Sequence, residues 1–262
     1  MSESEGGELY HGRMVAMLQV IWGEGFLSPG GPEEVARLVD DADLKGLSVL
    51  DIGCGAGGID IALVRNHCVG YVTGLDVEDT VLSHARALIA RERLSSSIGL
   101  IKVAPGPLPL PPASFDVVFS KDSLVHISDK QSLMREVFRV LKPGGRFIAS
   151  DWLIGHDGAP SAQMQAYIEA EGLDFGMASP GRYLQAMREA GFVDVSATSR
   201  NAWYREAARE ELERLRGSVG AAAAKIVGQE FVDQNIAIWS RMLPVLSSGE
   251  HCPTHLRARR AR

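Results

Sequence analysis

Asp51-Ile-Gly53-Cys-Gly55-Ala-Gly57-Gly58 places a carboxylate two residues ahead of a run of glycines. Glycines at this density let the backbone turn sharply and approach a ligand closely. Gly53, Gly55 and Gly58 also satisfy G-x-G-x-x-G, a spacing suited to a nucleotide cofactor. Such a site needs an acid at the end of the next strand to hold ribose hydroxyls. Asp76 stands there, nineteen positions after Gly57. A second cluster is Lys121-Asp122-Ser-Leu-Val-His126. Its imidazole could move protons near neutral pH, or be an ordinary strand-end histidine. Its aspartate could face a cation or cap the following helix. Trp152, Tyr167 and Trp203 could offer ring faces to a cation or belong to the core. His251-Cys252-Pro-Thr-His255 has zinc-ligand chemistry but too few ligands, so no metal is expected and the segment reads as solvated tail.

These residues need strand ends and turns to position them. Leu47–Gly53 reads as a short buried strand entering the glycine turn, followed by a helix, a strand at Tyr71–Asp76 and a helix near Val81–Arg93. A strand near Leu100–Val103, a proline-rich loop and a strand at Phe115–Ser120 come next. Helix Gln131–Leu141 puts Leu133, Val137 and Leu141 on one face, Lys142-Pro-Gly-Gly stops it, and Arg146–Asp151 is the next strand. The alternation predicts an α/β fold, a doubly wound and mostly parallel sheet. One domain is expected: amino-terminal lid helices over 1–43, a cofactor-binding core over 44–152, and substrate-side helices, last strands and tail over 153–262. In the last part, helices are expected near 160–172, 180–190 and 204–216, with a strand near Val193–Thr198.

Composition excludes several classes. The 262 residues are 45% hydrophobic and 23% charged, which suits a folded soluble chain. No apolar run reaches the ~20 residues that cross a bilayer, and the acidic opening MSESEGGELY is unlike a secretory or mitochondrial signal. Lys and Arg number 27 against 33 Asp and Glu. Four of the arginines crowd the last six residues, leaving the body at −10, so no nucleic-acid or membrane partner is expected. Three scattered cysteines show no disulfide framework, as in a cytoplasmic protein.

The glycine turn alone leaves NAD and S-adenosylmethionine both open. With Asp51 before it, Phe115-Asp-Val-Val-Phe-Ser as a fourth strand and Lys142-Pro-Gly-Gly before a fifth, residues 44–152 resemble the class I S-adenosylmethionine-dependent methyltransferases. Tyr10, Trp22-Gly-Glu-Gly-Phe-Leu-Ser-Pro-Gly-Gly and Phe119-Ser-Lys-Asp-Ser-Leu-Val-His126 are similar to the lid and fourth-strand segments of the phosphoethanolamine (phosphobase) N-methyltransferases. The resemblance implies S-adenosyl-L-methionine as cofactor, touching Leu27, Ser28, Asp51, Gly53, Gly55, Asp76, Val77, Ala104, Pro105 and Lys121. It implies a Tyr10–His126 dyad closing over the ligands, Asp122 facing the amine, and Trp152, Tyr167, Glu171 and Trp203 around the substrate.

Two departures qualify that picture. Ala104-Pro-Gly-Pro lacks the acid that often contacts adenine, so backbone atoms would serve there. After Tyr167 the family carries an arginine, a glycine and a tyrosine that grip phosphate, where this chain has Glu171, Gly172 and Leu173. Leucine and glutamate supply no donors to phosphate, and glutamate repels it. The expected substrate is a small non-phosphorylated amine, or a thioether amino acid such as methionine. An NAD oxidoreductase and a non-catalytic cofactor-binding regulator are the competing classes.

Overall fold

The computed structural model describes residues 12–173 and 175–262. Helices α1 (Gly12–Trp22) and α2 (Gly31–Leu38) precede β1 (Ser48–Ile52), α3 (Gly58–His67), β2 (Tyr71–Asp76), α4 (Asp79–Arg91), β3 (Ile98–Lys102) and β4 (Phe115–Lys121). A 3₁₀ turn at Leu124–His126 leads to α5 (Lys130–Val140) and β5 (Leu141–Ile154). Then follow α6 (Ala162–Glu171), α7 (Pro180–Glu189), β6 (Phe192–Ser199), α8 (Asn201–Arg216), α9 (Ser218–Val227), α10 (Gln229–Ser248) and β7 (His251–Arg260).

The sheet has seven strands in the order β3-β2-β1-β4-β5-β7-β6. Pairings among β1 to β5 are parallel, while β7 is antiparallel to both β5 and β6. Val49, Leu50, Val117 and Val118 are fully buried, as expected of central parallel strands covered on both faces. Strand order reverses between β1 and β4, and the crevice beyond their carboxyl ends is where ligands bind in such sheets. The glycine turn and Asp122 both emerge there.

The last part of the chain corrects the sequence reading. Residues 251–260 are no solvated arm: β7 runs between β5 and β6, with His251, His255 and Leu256 all buried. Its arginines are held sideways. Arg257 donates to the Leu38 carbonyl at the end of α2, and Arg260 to the Phe138 and Leu141 carbonyls at the end of α5 while lying over the Phe138 ring. Helix carboxyl ends attract cations through their unpaired carbonyls. Helices α9 and α10 were also unforeseen. With α1 and α8 they form a separate apolar cluster, including Met17, Ile21, Leu212 and Trp239, that roofs one end of the sheet. Among the described residues no helix is long and apolar enough to cross a membrane, and no group of side chains could hold a metal ion.

Candidate active site

The turn after β1 is built as its sequence predicts. Gly53 and Gly55 have φ of 78° and 54°, in the left-handed region that favours glycine. A Cβ on Gly53 would fall 2.2 Å from Ser123 Oγ, so this turn and the one after β4 can only nest with glycine there. The Gly55 amide donates to Asp76 Oδ2 (2.9 Å) and the Glu78 amide to Oδ1 (3.0 Å). Asp76 is thereby fixed at the end of β2 with acceptor capacity left over for hydroxyls. Val77, Ala104 and Pro105 lie exposed along the same edge, after β2 and β3.

Asp51 is fully buried, beside the equally buried Asp60 of α3. Among the described residues no group donates a hydrogen bond to either carboxyl. Burial raises both, and repulsion adds to it, from Asp76 on Asp51 and from Asp51 and Asp76 on Asp60. A cationic amino group nearby would relieve that repulsion. Together with the glycine turn and Asp76, this donor and acceptor set fits the amino, backbone-contacting and ribose parts of S-adenosylmethionine.

The loop after α1 closes over this crevice. The Gly58 amide donates to the Gly25 carbonyl (3.0 Å). Lys121 Nζ donates to Ser28 Oγ (2.7 Å), the Pro29 carbonyl (2.9 Å) and Asp122 Oδ2 (2.5 Å), tying loop 27–29 to the end of β4. Asp122 has φ 57°, a conformation that costs a non-glycine residue about 1 kcal/mol or more and persists only where surroundings enforce it. Here the Asp122 amide donates to the Ser150 carbonyl (2.7 Å), and Ser150 Oγ donates to Asp122 Oδ1 (3.0 Å). Asp122 therefore does not cap α5; Asp129 does, accepting from the Ser132 amide.

His126 sits on the 3₁₀ turn, its Nδ1 2.8 Å from the Leu173 carbonyl and its ring 5.6 Å from that of Phe175. A carbonyl only accepts, so Nδ1 carries the proton and Nε2 is the basic nitrogen of the neutral ring. The turn itself is clamped by two buried residues that carried no sequence signal. Asp151 of β5 accepts from the Val125 amide (2.9 Å) and the Tyr183 hydroxyl (2.5 Å), and Lys130 donates to the Leu124 and Ile127 carbonyls. Burial lifts the Asp151 carboxyl to about 6, against the pull of Lys130. Tyr10 lies outside the described residues.

Beside this group is a narrow cavity of about 30 Å³, walled by Trp22 and Leu27, by Trp152, Glu171 and Leu173, and by Tyr204, Glu211, Asn235 and Trp239. Burial raises Glu171 and Glu211 to about 7 each; Tyr167 bonds the first, and Trp22 Nε1 donates to the second at 2.7 Å. Glu171 as a residue keeps some surface, yet its carboxyl is crowded enough to lose most of its hydration. Trp152 stands edge-on to Phe175 and His251, with Tyr204 adjoining. Tyr167 is wholly buried behind this wall, 5.7 Å from His251. The structure brings Leu27, Trp152 and Glu171 together at the cavity but not Trp203, which lies over the Arg200 guanidinium at 4.8 Å. Glu211, Asn235 and Trp239 were missed, since α8 and α10 carry no motif.

Residues 50–149 match the model of a methyltransferase domain family. The chain carries a class I S-adenosylmethionine-dependent methyltransferase domain. A phosphoethanolamine N-methyltransferase of Triticum aestivum is 34% identical over 231 residues, 88% of this chain and 44% of that protein. A sterol 24-C-methyltransferase of Aspergillus fumigatus is 32% identical over 152 residues, 56% of this chain and 40% of that protein. The chain thus spans less than half the length of these curated relatives. Phosphoethanolamine N-methyltransferase 2 of Haemonchus contortus, solved with phosphomonomethylethanolamine and S-adenosylhomocysteine, superimposes with TM-score 0.87 at 24% identity, covering 97% of this chain and 59% of that one. The methyltransferase core is common to relatives named for an aminoalcohol phosphate and for a sterol, so the substrate is decided by the walls outside it.

Proposed function

We propose that this protein methylates the nitrogen of a small cationic amine that bears no phosphate. The observation that carries the reading is the cavity wall: Glu171 and Glu211 face it, and among the described residues lining it there is no lysine or arginine. A phosphate dianion needs charge-assisted donors, best from guanidinium. Two carboxylates and four aromatic rings instead favour an ammonium, which ring faces and anions both attract. An amino acid such as methionine is disfavoured on the same ground, because its carboxylate would meet glutamates.

S-adenosylmethionine, when bound, supplies a methyl carbon open to attack by a nitrogen lone pair, its sulfur leaving with the S–C bonding pair. Asp76 and the glycine turn would hold its ribose end, and Asp51 and the Ser28–Lys121 contact its amino-acid end. The protein's own chemical task is to present a neutral nitrogen. His126 Nε2 would take the ammonium proton, with Asp122 steering the cation in and Lys121 keeping the Asp122 carboxylate in place. The lid loop and aromatic wall exclude water, which would otherwise compete and weaken each charge contact. The test is transfer of labelled methyl from S-adenosylmethionine to a panel of small amines, phosphoethanolamine and methionine. Turnover of amines with KM in the ordinary 1 μM–1 mM range supports the reading; preferential turnover of phosphoethanolamine or methionine overturns it.

A further inference from the structure

Two buried acids meet beneath the glycine turn. Asp51 of β1 is in register with Gly74 of β2 and Phe119 of β4. Residues in register on neighbouring parallel strands point to one face, and side chains alternate faces along each strand. Val49 and Val72, two positions earlier on their strands, pack with Phe119 against Ile59, Ala62 and Leu63 of α3. Asp51 therefore points at α3, as a side chain on Gly74 would. Asp60, in the first turn of α3, fills the space that Gly74 leaves: a Cβ there would fall 2.9 Å from Asp60 Oδ2. Both acids are fully buried, and among the described residues nothing donates to any of their four carboxyl oxygens. No described cationic side chain acts on either. The other titratable groups felt there are Asp76, a third acid, and the Cys54 thiol, which burial and the three carboxyls keep protonated.

Two adjacent carboxyls so placed cannot both stay ionised. We propose that Asp60 is a positioning residue for the cofactor's amino end: it holds one proton, donates it in a hydrogen bond to Asp51, and so keeps a single negative charge on Asp51 for the α-ammonium. Burial and the Asp51 charge both favour the protonated form of Asp60, the more strongly raised of the two. A protonated carboxyl is a donor without being an ion. Without that donor, burial would neutralise Asp51 before the cofactor arrived. The inference rests on Asp51 meeting the amino-acid end of S-adenosylmethionine, as proposed above, and is independent of the methyl acceptor.

Calorimetry tests it by comparing S-adenosylhomocysteine with 5′-methylthioadenosine, which keeps the nucleoside and sulfur but lacks the amino acid. The proteins are the parent, Asp60→Asn and Asp60→Leu. Asparagine keeps a neutral donor for Asp51; leucine fills the same space without one. Affinity for S-adenosylhomocysteine near pH 6.5 should stay within about threefold of the parent in Asp60→Asn. In Asp60→Leu it should fall roughly tenfold or more, the worth of a hydrogen bond to a charged group. That deficit should shrink toward pH 8.5, as Asp51 ionises unaided. Affinity for 5′-methylthioadenosine should be the same in all three, whereas general damage to the turn would weaken both ligands. Loss in Asp60→Asn with 5′-methylthioadenosine binding intact would make Asp60 an anion, and undiminished affinity in Asp60→Leu would give it no part; either overturns the inference. A parent that binds both ligands equally also removes the ammonium from Asp51. Urea unfolding needs neither cofactor nor the leucine variant. A proton kept by native Asp60 and released on unfolding makes the parent lose stability relative to Asp60→Asn as pH rises from about 5 to 7. Parallel profiles overturn the inference even if Asp60→Leu does not fold.

Discussion

Replacing His251 by leucine should flatten the protein's response to acid. His251 is fully buried on β7 among Trp152, Tyr167 and Tyr204, and burial pushes its pKa down to about 4, only partly offset by the Leu153 backbone and Asp122. In the unfolded chain a histidine titrates near ~6.5. Between those values the unfolded state binds a proton that the native state refuses, so stability falls as pH falls. Integrating the linkage from pH 7 to pH 4.5 gives a loss of about 2 kcal/mol from this one group. The buried carboxyls of Asp151, Glu171 and Glu211, raised to about 6, 7 and 7, act in the opposite sense. They bind protons more readily in the folded chain, so their contribution grows as pH falls through that window. Absolute stability at low pH therefore mixes both, and the difference between parent and His251→Leu isolates the imidazole. Urea unfolding of both proteins at pH 7 and pH 4.5 measures it. Any fixed packing cost of the substitution cancels between the two pH values. A difference that stays within about 0.5 kcal/mol across the range, the scatter expected of independent sites, would refute a neutral, desolvated His251.

Four other outcomes are expected. Truncation after Glu250 deletes β7 from between β5 and β6, so the product should lack cooperative unfolding by circular dichroism; a solvated tail would be lost without effect. Asp76→Ala should weaken S-adenosylmethionine binding by roughly 1.5–3 kcal/mol, the worth of hydrogen bonds to a charged group, and calorimetry showing unchanged affinity would remove Asp76 from the ribose. His126→Ala should lower kcat by about 10²–10⁴, the usual range for a lost proton-transfer group. Lys130→Met, which frees the turn carrying His126, should lower kcat while leaving affinity for S-adenosylhomocysteine intact; equal loss of both would mean general unfolding instead of mispositioning.

The cofactor half of the site was legible because its parts are consecutive in the chain. A strand, a glycine turn and an acid at the next strand's end obey local rules of backbone conformation, and Gly53, Gly55 and Asp76 stand where those rules put them. The carboxyl-terminal third breaks such rules. Pro253 lies inside a strand hydrogen-bonded on both sides, where proline normally cannot sit, and Pro244 lies inside α10. Both prolines run against local propensity, and the arginine run read as solvated chain. Yet Leu256 and Ala258 alternate with Arg257 and Arg259 at the strand period, which was the available signal.

The substrate half was legible only at Trp152 and at Glu171, where a family comparison gave a position to compare. Glu211, Asn235 and Trp239 come from helices distant in sequence, and no spacing announces that they meet Trp22. Glu171 alone reads as a lost phosphate grip. Joined by Glu211, it becomes part of an acidic wall, the surface on which the proposed cationic substrate rests. Leaving such a surface unfilled forces burial to raise both carboxyls toward neutrality, whereas an ammonium would restore their charge. Binding at neutral pH should therefore release protons from the glutamates. Calorimetry of the binding of a small amine to the S-adenosylhomocysteine complex, repeated in buffers of different ionisation enthalpy, measures that number directly. A buffer-independent heat near pH 7 would show that the glutamates are already charged, and that the cavity selects its ligand by shape and ring contacts instead.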